Sequence, residues 1–168
     1  MVSPVHFDCG SLCGAACCTC TSEEKDSMGI YLLPGEEKLF TRKESWLGWN
    51  SLDAEEYEFP DSWHGKVFFL DCKAKALCPR NRRPIQCRTF PLAPHIDEKG
   101  ALVLIYQKGP LPYSCPLVSR RMKLNNDFVK ATYTVWKHLI REPLIYDLIK
   151  MDSTYRLEDG EEIDILMP

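Results

Sequence analysis

The chain has 168 residues, of which 45% are hydrophobic and 27% charged, and a formal net charge of -3. This is the composition of a soluble globular chain, and the length suits one domain that buries roughly two thirds of the surface it would expose unfolded, so disulfides are not needed to hold it together. The acidic balance gives no reason to expect nucleic acid or an anionic membrane as partner, no stretch approaches the ~18 apolar residues of a membrane span, and residues 1–8 lack the basic and apolar parts of a signal peptide. These features point to the cytoplasm. Thiols stay reduced there, so nine cysteines read as metal-binding or catalytic before they read as bridged, and an odd count fits poorly with a closed set of disulfides.

The first feature along the chain is a cysteine cluster, Cys9-Gly-Ser-Leu-Cys13-Gly-Ala-Ala-Cys17-Cys18-Thr-Cys20. Its small residues let the backbone fold tightly around an ion. Thiolates this close repel one another unless a cation or an iron–sulfur core neutralises them, which also lowers their pKa values. Thiolate sites serve zinc or iron–sulfur clusters, whereas calcium and magnesium take oxygen ligands. Adjacent Cys17 and Cys18 would ligate two metals, or one would ligate while the other is a spare or reactive thiol. Cys13-x3-Cys17-x2-Cys20 also has the spacing with which radical S-adenosylmethionine enzymes hold a cluster. Those enzymes are built on α/β barrels, and only twelve residues precede Cys13 here, with no alternation of strands and helices after it.

Residues 29–40 read as a short strand, a Pro34-Gly35 turn and a brief helix with Glu36 and Glu37 in its first turn. Aromatic and β-branched residues predict strands at 55–59, 66–71 and 101–107, together a small antiparallel sheet. Trp46, Trp49, Tyr57, Phe59 and Trp63 read as core, with an aromatic surface for a substrate or peptide as the alternative.

Between the second and third of these strands lies Asp71-Cys72-Lys-Ala-Lys-Ala-Leu-Cys78-Pro-Arg-Asn-Arg-Arg-Pro84-Ile-Gln-Cys87-Arg88-Thr-Phe-Pro91. Pro79, Pro84, Pro91 and Pro94 exclude a long helix and place the cysteines on ordered turns. From 72 to 96 there are six basic residues and, until Asp97, no acid. A four-thiolate site around a dication keeps net negative charge. Arg83 and Arg88, flanking Cys87, are the residues to offset it, while the lysines make a solvated face or a patch for an acidic protein partner.

Phe128, Val129, Val135, Trp136, Leu139 and Ile140 recur at helical spacing within 126–150, with Asn126 or Asp127 as cap and Pro143 starting a second helix or kinking the first. The acidic stretch 156–168 pairs with the sheet edge through 163–166 or frays. Of the four histidines, His95 is the best placed to ligate, since it closely follows Pro91 and Pro94; His6, His64 and His138 read as surface or core residues.

The cluster at 9–18, a separated cysteine, and then Arg83-Pro84-Ile85-Gln86-Cys87-Arg88-Thr89-Phe90-Pro91 resemble the YkgJ family of cysteine-cluster proteins, described as a zinc- or iron-chelating domain. The resemblance covers most of 7–92. The family spaces its first cluster Cys-x2-Cys-x2-Cys-Cys, whereas both gaps here hold three residues. Cys115, in a proline-rich loop, resembles a later family cysteine, and Cys20 has no counterpart and reads as an extra thiol. A related domain occurs in flagellin lysine N-methylases, so the resemblance implies metal binding first and a protein-modifying methyl transfer as the enzymatic alternative.

The expectation is thus a single α+β domain over 1–168, with a cluster core at 7–116 and a helical part at 125–151. It has a short antiparallel sheet, C-terminal helices, and cysteine-bearing loops that converge on a metal site. Cys9, Cys13, Cys17, Cys18, Cys72, Cys78, Cys87 and Cys115 are the candidate ligands of an iron–sulfur cluster (4Fe-4S among the options) or of zinc or iron, with a redox or electron-transfer role. The arginines and the crowded Cys17–Cys18 pair favour iron–sulfur over a purely structural zinc.

Overall fold

The strongest β signal, the aromatic and apolar run after Gly65, becomes the central strand of a three-stranded antiparallel sheet. In a computed structural model describing residues 2–18, 28–73, 78–108 and 111–167, this strand, β3 (Lys66–Cys72), lies between β1 (Gly29–Tyr31) and β2 (Leu47–Asp53). Ile30 and Trp49 both pair across Leu70, which is fully buried at the centre. Gly29 is required where it stands, because a Cβ there would collide with the Phe69 ring and the Leu70 carbonyl. The expected strand at 55–59 does not form. Asp53 accepts from the Glu55 N–H and starts a 3-10 turn, Ala54–Glu56, so the aromatic residues that follow pack from a loop. Phe59 stacks on Trp63 with centroids 5.0 Å apart, and the Trp63 indole donates to the Leu144 carbonyl at 2.9 Å. The buried Trp63 and Trp46 therefore belong to the core, while Tyr57 is exposed.

A second antiparallel sheet, where one was expected, has the order β4 (Leu92–Ile96), β5 (Leu102–Tyr106), β6 (Ile165–Met167). All five residues of β4 and of β5 are buried. β4 contains Pro94, which cannot donate to a ladder and is tolerated because β4 is an edge strand. The edge is covered by a helix, as edges require: the Ile96 N–H donates to Ser153 Oγ at 2.9 Å and the Arg156 guanidinium to the Pro94 carbonyl at 3.3 Å. The acidic tail pairs through β6, with Ile165 opposite Ile105.

Two helices close the main core. α1 (Ile85–Thr89) and α2 (Pro116–Ser119) are single turns, and the long ones are α3 (Asn126–Leu139) and α4 (Pro143–Glu158). Asn125, one residue before the expected cap, accepts from the Asp127 N–H at 3.0 Å. Phe128, Thr132 and Trp136, each four residues apart, are the buried face of α3. Pro143 starts α4 at its first position, and the helix runs past the expected end at 151 to Glu158. The fold is α+β. Contrary to the proline argument, Cys72 ends a strand and Cys87 sits in α1, because Pro84 stands just before that helix, where a missing N–H costs nothing. Among the described residues no helix is long and apolar enough to cross a membrane.

Ser153 satisfies the outward N–H of β4 from inside the core, so Ser153→Ala, which removes the acceptor and adds no bulk, is expected to cost about 1–3 kcal/mol. Urea denaturation checks this, and an unchanged midpoint would show that the edge needs no such partner.

Candidate metal centre

Local backbone chemistry divides the first cysteine cluster in two. Asp8 caps a 3-10 turn, Cys9–Leu12, by accepting from the Gly10 N–H at 3.3 Å. Gly14 and Ala15 then take left-handed conformations, with φ of 63° and 58°. Glycine does this freely, whereas alanine does so at a cost of roughly 1–2 kcal/mol. The reversal leads into a second 3-10 turn, Ala16–Cys18. Cys9 and Cys13 thus stay on one side, and Cys17 and Cys18 on the other.

Cys17 and Cys18 line a cavity of about 140 Å³ together with Cys72 from β3, Cys78 and Cys87 from α1. Trp46, Leu70, Phe90 and Tyr113 supply apolar and aromatic wall, and Arg83 the charge. The Cys17 and Cys18 sulfurs are 3.8 Å apart, the edge of a tetrahedron of sulfurs set about 2.3 Å from a central zinc, which is also about 3.8 Å. Cys18 in turn contacts the Cys72 thiol. α1 is docked by two polar ties. Glu36 accepts the Ile85 N–H at 2.6 Å and the Leu33 N–H at 3.1 Å, and the Gln86 amide donates to the Tyr31 carbonyl at 3.0 Å.

Crowding and burial shape the acid–base behaviour. The contact with Cys18, then burial, raises Cys17 far above the ordinary thiol range, and the same contact followed by burial does so for Cys72. Burial, then Cys18 and Cys78, pushes Cys87 up to about 12, with Arg83 opposing. Burial raises Cys78 as well, and Arg83 pulls against it. Burial works against the Arg83 charge, but Cys78, Cys18 and Cys17 outweigh it and hold its pKa above the ordinary arginine value.

Cys115 is apart from these five. It is buried at the start of α2 beside Val5, Leu117 and Cys9. Burial raises its pKa, two backbone N–H groups lower it, and Cys13 and Cys9 are the thiols that act on it. Arg80 donates to the Cys9 sulfur at 3.3 Å. Tyr113 stands between the two groups: burial first, then Cys17, Cys115, Cys87 and Cys18 all raise its pKa. The eight expected ligands therefore gather as five and three, and none of the eight is in a disulfide. Cys20 lies outside the described residues.

The donor set is sulfur alone, which suits zinc or iron–sulfur and not a hard cation. Among the described residues, no three His, Cys, Asp or Glu side chains form a group that could hold a metal ion as they stand. The thiols line the cavity wall and touch in pairs, so a metal would have to draw further sulfurs inward. In comparisons with protein-family models, curated proteins and solved structures, nothing matches the chain.

Of the two arginines expected to balance the cluster, Arg83 lines the thiol cavity and Arg88 does not; Arg88 lines a separate groove beside Glu36. Arg83 bonds the Cys78 side chain, and Arg80, which in the sequence is only one of the basic run, bonds the Cys9 sulfur. Pro79 is the extended residue that starts the 3-10 turn Arg80–Arg82, on which Arg80 stands. His95 is buried in β4, where burial and then Arg156 lower its pKa, with Asp97 opposing.

A thiol whose pKa is higher folded than unfolded stabilises the fold fully below its ordinary pKa and loses that contribution as pH rises through the folded value. For Cys87 the window runs from the ordinary 9.0 up to about 12. The thermal midpoint of the metal-free chain is expected to fall across this range, and more steeply than that of Cys87→Ser. Parallel slopes would mean that the thiol ionises freely.

Proposed function

We propose that the chain is a metal-binding protein of the cysteine-cluster kind and that it holds a thiolate-ligated centre in the cavity lined by Cys17, Cys18, Cys72, Cys78 and Cys87. The observation that carries this reading is the convergence of five thiols, from two separate stretches of sequence at 17–18 and 72–87, on one cavity with a guanidinium in its wall. Thiols in that number hold one another protonated, and a bound cation lets them ionise, so binding would release protons and strengthen with pH. The resemblance to the YkgJ family supports the same reading.

An iron–sulfur cluster suits the cavity better than a single zinc. A water needs about 10–15 Å³ of such space, and 140 Å³ is several times what one ion would occupy. The residues that would hold the cluster are drawn from the five, with Arg83 offsetting its charge and the apolar wall limiting solvent, both of which tune a reduction potential. When bound, the cluster would supply one-electron chemistry. A reducing compartment such as the cytoplasm is where the thiols would stay available.

The first experiment is anaerobic purification followed by metal analysis, acid-labile sulfide and a visible spectrum on one sample. Iron and sulfide in near-equal amounts support the cluster; colourless protein with stoichiometric zinc replaces it with a structural ion; protein free of both metals overturns the proposal. Cys87→Ser is expected to lose most of the metal and Cys20→Ser to keep it, and equal contents would remove the ligand assignment. Arg83→Gln is expected to shift the reduction potential downward, since the reduced cluster loses a compensating charge.

A further inference from the structure

A groove of about 600 Å³ shares Arg83 with the thiol cavity and is bounded by the 3-10 helix Glu36–Leu39, by α1 and by the α3–α4 corner. This lies within the range of roughly 300–1,000 Å³ typical of small-molecule sites. Phe40, Val135, Leu139 and Ile145 make much of its wall apolar. Its charged residues are Arg82, Arg83, Arg88 and Glu36. Arg82 is taken up by an ion pair with Glu44. Glu36 spends both carboxylate oxygens on backbone N–H groups. That leaves Arg83 and Arg88 against one carboxylate, a net charge of +1. Arg83 and Arg88 both line the groove, with the Nε–H of each buried inside the protein rather than open to the groove.

We propose that this groove binds a small monoanionic molecule whose oxyanion head meets Arg88 and Arg83 and whose apolar body lies along Val135 and Leu139. A guanidinium presents a planar fork of donors suited to a carboxylate or phosphate head. Both heads share that chemistry, and the apolar wall selects a ligand with a hydrocarbon part. The groove shares Arg83 with the proposed thiol centre, whereas Arg88 and the apolar wall belong to the groove and not to the thiol cavity.

Calorimetric titration of the purified full chain tests it with three probes: octanoate, octanol and inorganic phosphate. Octanoate is expected to bind saturably and at least tenfold more tightly than either of the others. Octanol binding as well as octanoate would remove the anion site, phosphate binding as well would remove the apolar one, and unsaturable octanoate would remove both. Arg88→Gln is expected to weaken octanoate about tenfold with metal content unchanged. Because that variant also disturbs Glu36, Leu39→Asp is the second probe. Leu39 lines the groove yet is 77% exposed, so a carboxylate there spares the core and repels the ligand. Unchanged affinity in Leu39→Asp would place the octanoate elsewhere and overturn the proposal.

Discussion

Five sulfur atoms around one small cavity cannot all carry charge unless a cation shares the space. Each thiolate formed there raises the cost of the next, and burial raises it further, which is why the pKa values of Cys17, Cys72, Cys78 and Cys87 all stand above the ordinary thiol range. Without a cation the cluster is a set of neutral thiols, weakly held together. The work of gathering them therefore falls to the rest of the fold. β3 presents Cys72 at its end, Glu36 and Gln86 fix α1 and with it Cys87, and the left-handed Gly14–Ala15 step delivers Cys17 and Cys18.

The scaffolding on which this depends is polar and buried, and so is costly to leave incomplete. Glu36 shows the balance. Burial raises its pKa, while the Ile85 and Leu33 N–H groups and the nearby Arg88 pull it down. One carboxylate thus joins the turn at 33–36 to α1 at the point where the thiol cavity and the larger groove share a wall. Arg83 is in that wall, donating to the Cys78 carbonyl and lining both the thiol cavity and the groove.

Much of the fold was legible because its signals are local. The Pro34-Gly35 turn, the continuous apolar run of β5, and the four-residue spacing in α3 each carry their conformation within a few residues. β4 was hidden by Pro94, since a proline in a strand is allowed only at an edge, and whether a strand is an edge is decided by the whole sheet. The 55–59 segment misled for the opposite reason: strand-forming residues there serve packing from a loop. At the site, seven of the candidate cysteines could be named from their clustering and Cys115 from the family resemblance, but their division could not, because it turns on one non-glycine residue in a left-handed conformation. Arg88 was misplaced by sequence adjacency. Residues i and i+1 of a helix lie on different faces, so α1 turns Arg88 away from the cavity that Cys87 lines.

The division into five and three bears on what the protein can hold. Two tetrahedral centres would need four sulfurs each, and among the described residues the group of Cys9, Cys13 and Cys115 has three. Arg80, bonded to the Cys9 sulfur, stands beside that smaller group, while Arg83 serves the larger. One cation for each group is the pattern expected if each is to carry negative charge, and Tyr113 between them, its pKa raised by burial and by sulfurs of both groups, keeps a neutral ring rather than a third ionised group at the seam. The larger group has one sulfur more than a four-ligand cluster requires. If the proposed centre takes four of these sulfurs, the adjacent Cys17 and Cys18 are where the surplus would sit, since a single peptide step would let either sulfur turn inward while the other remained a neighbouring thiol.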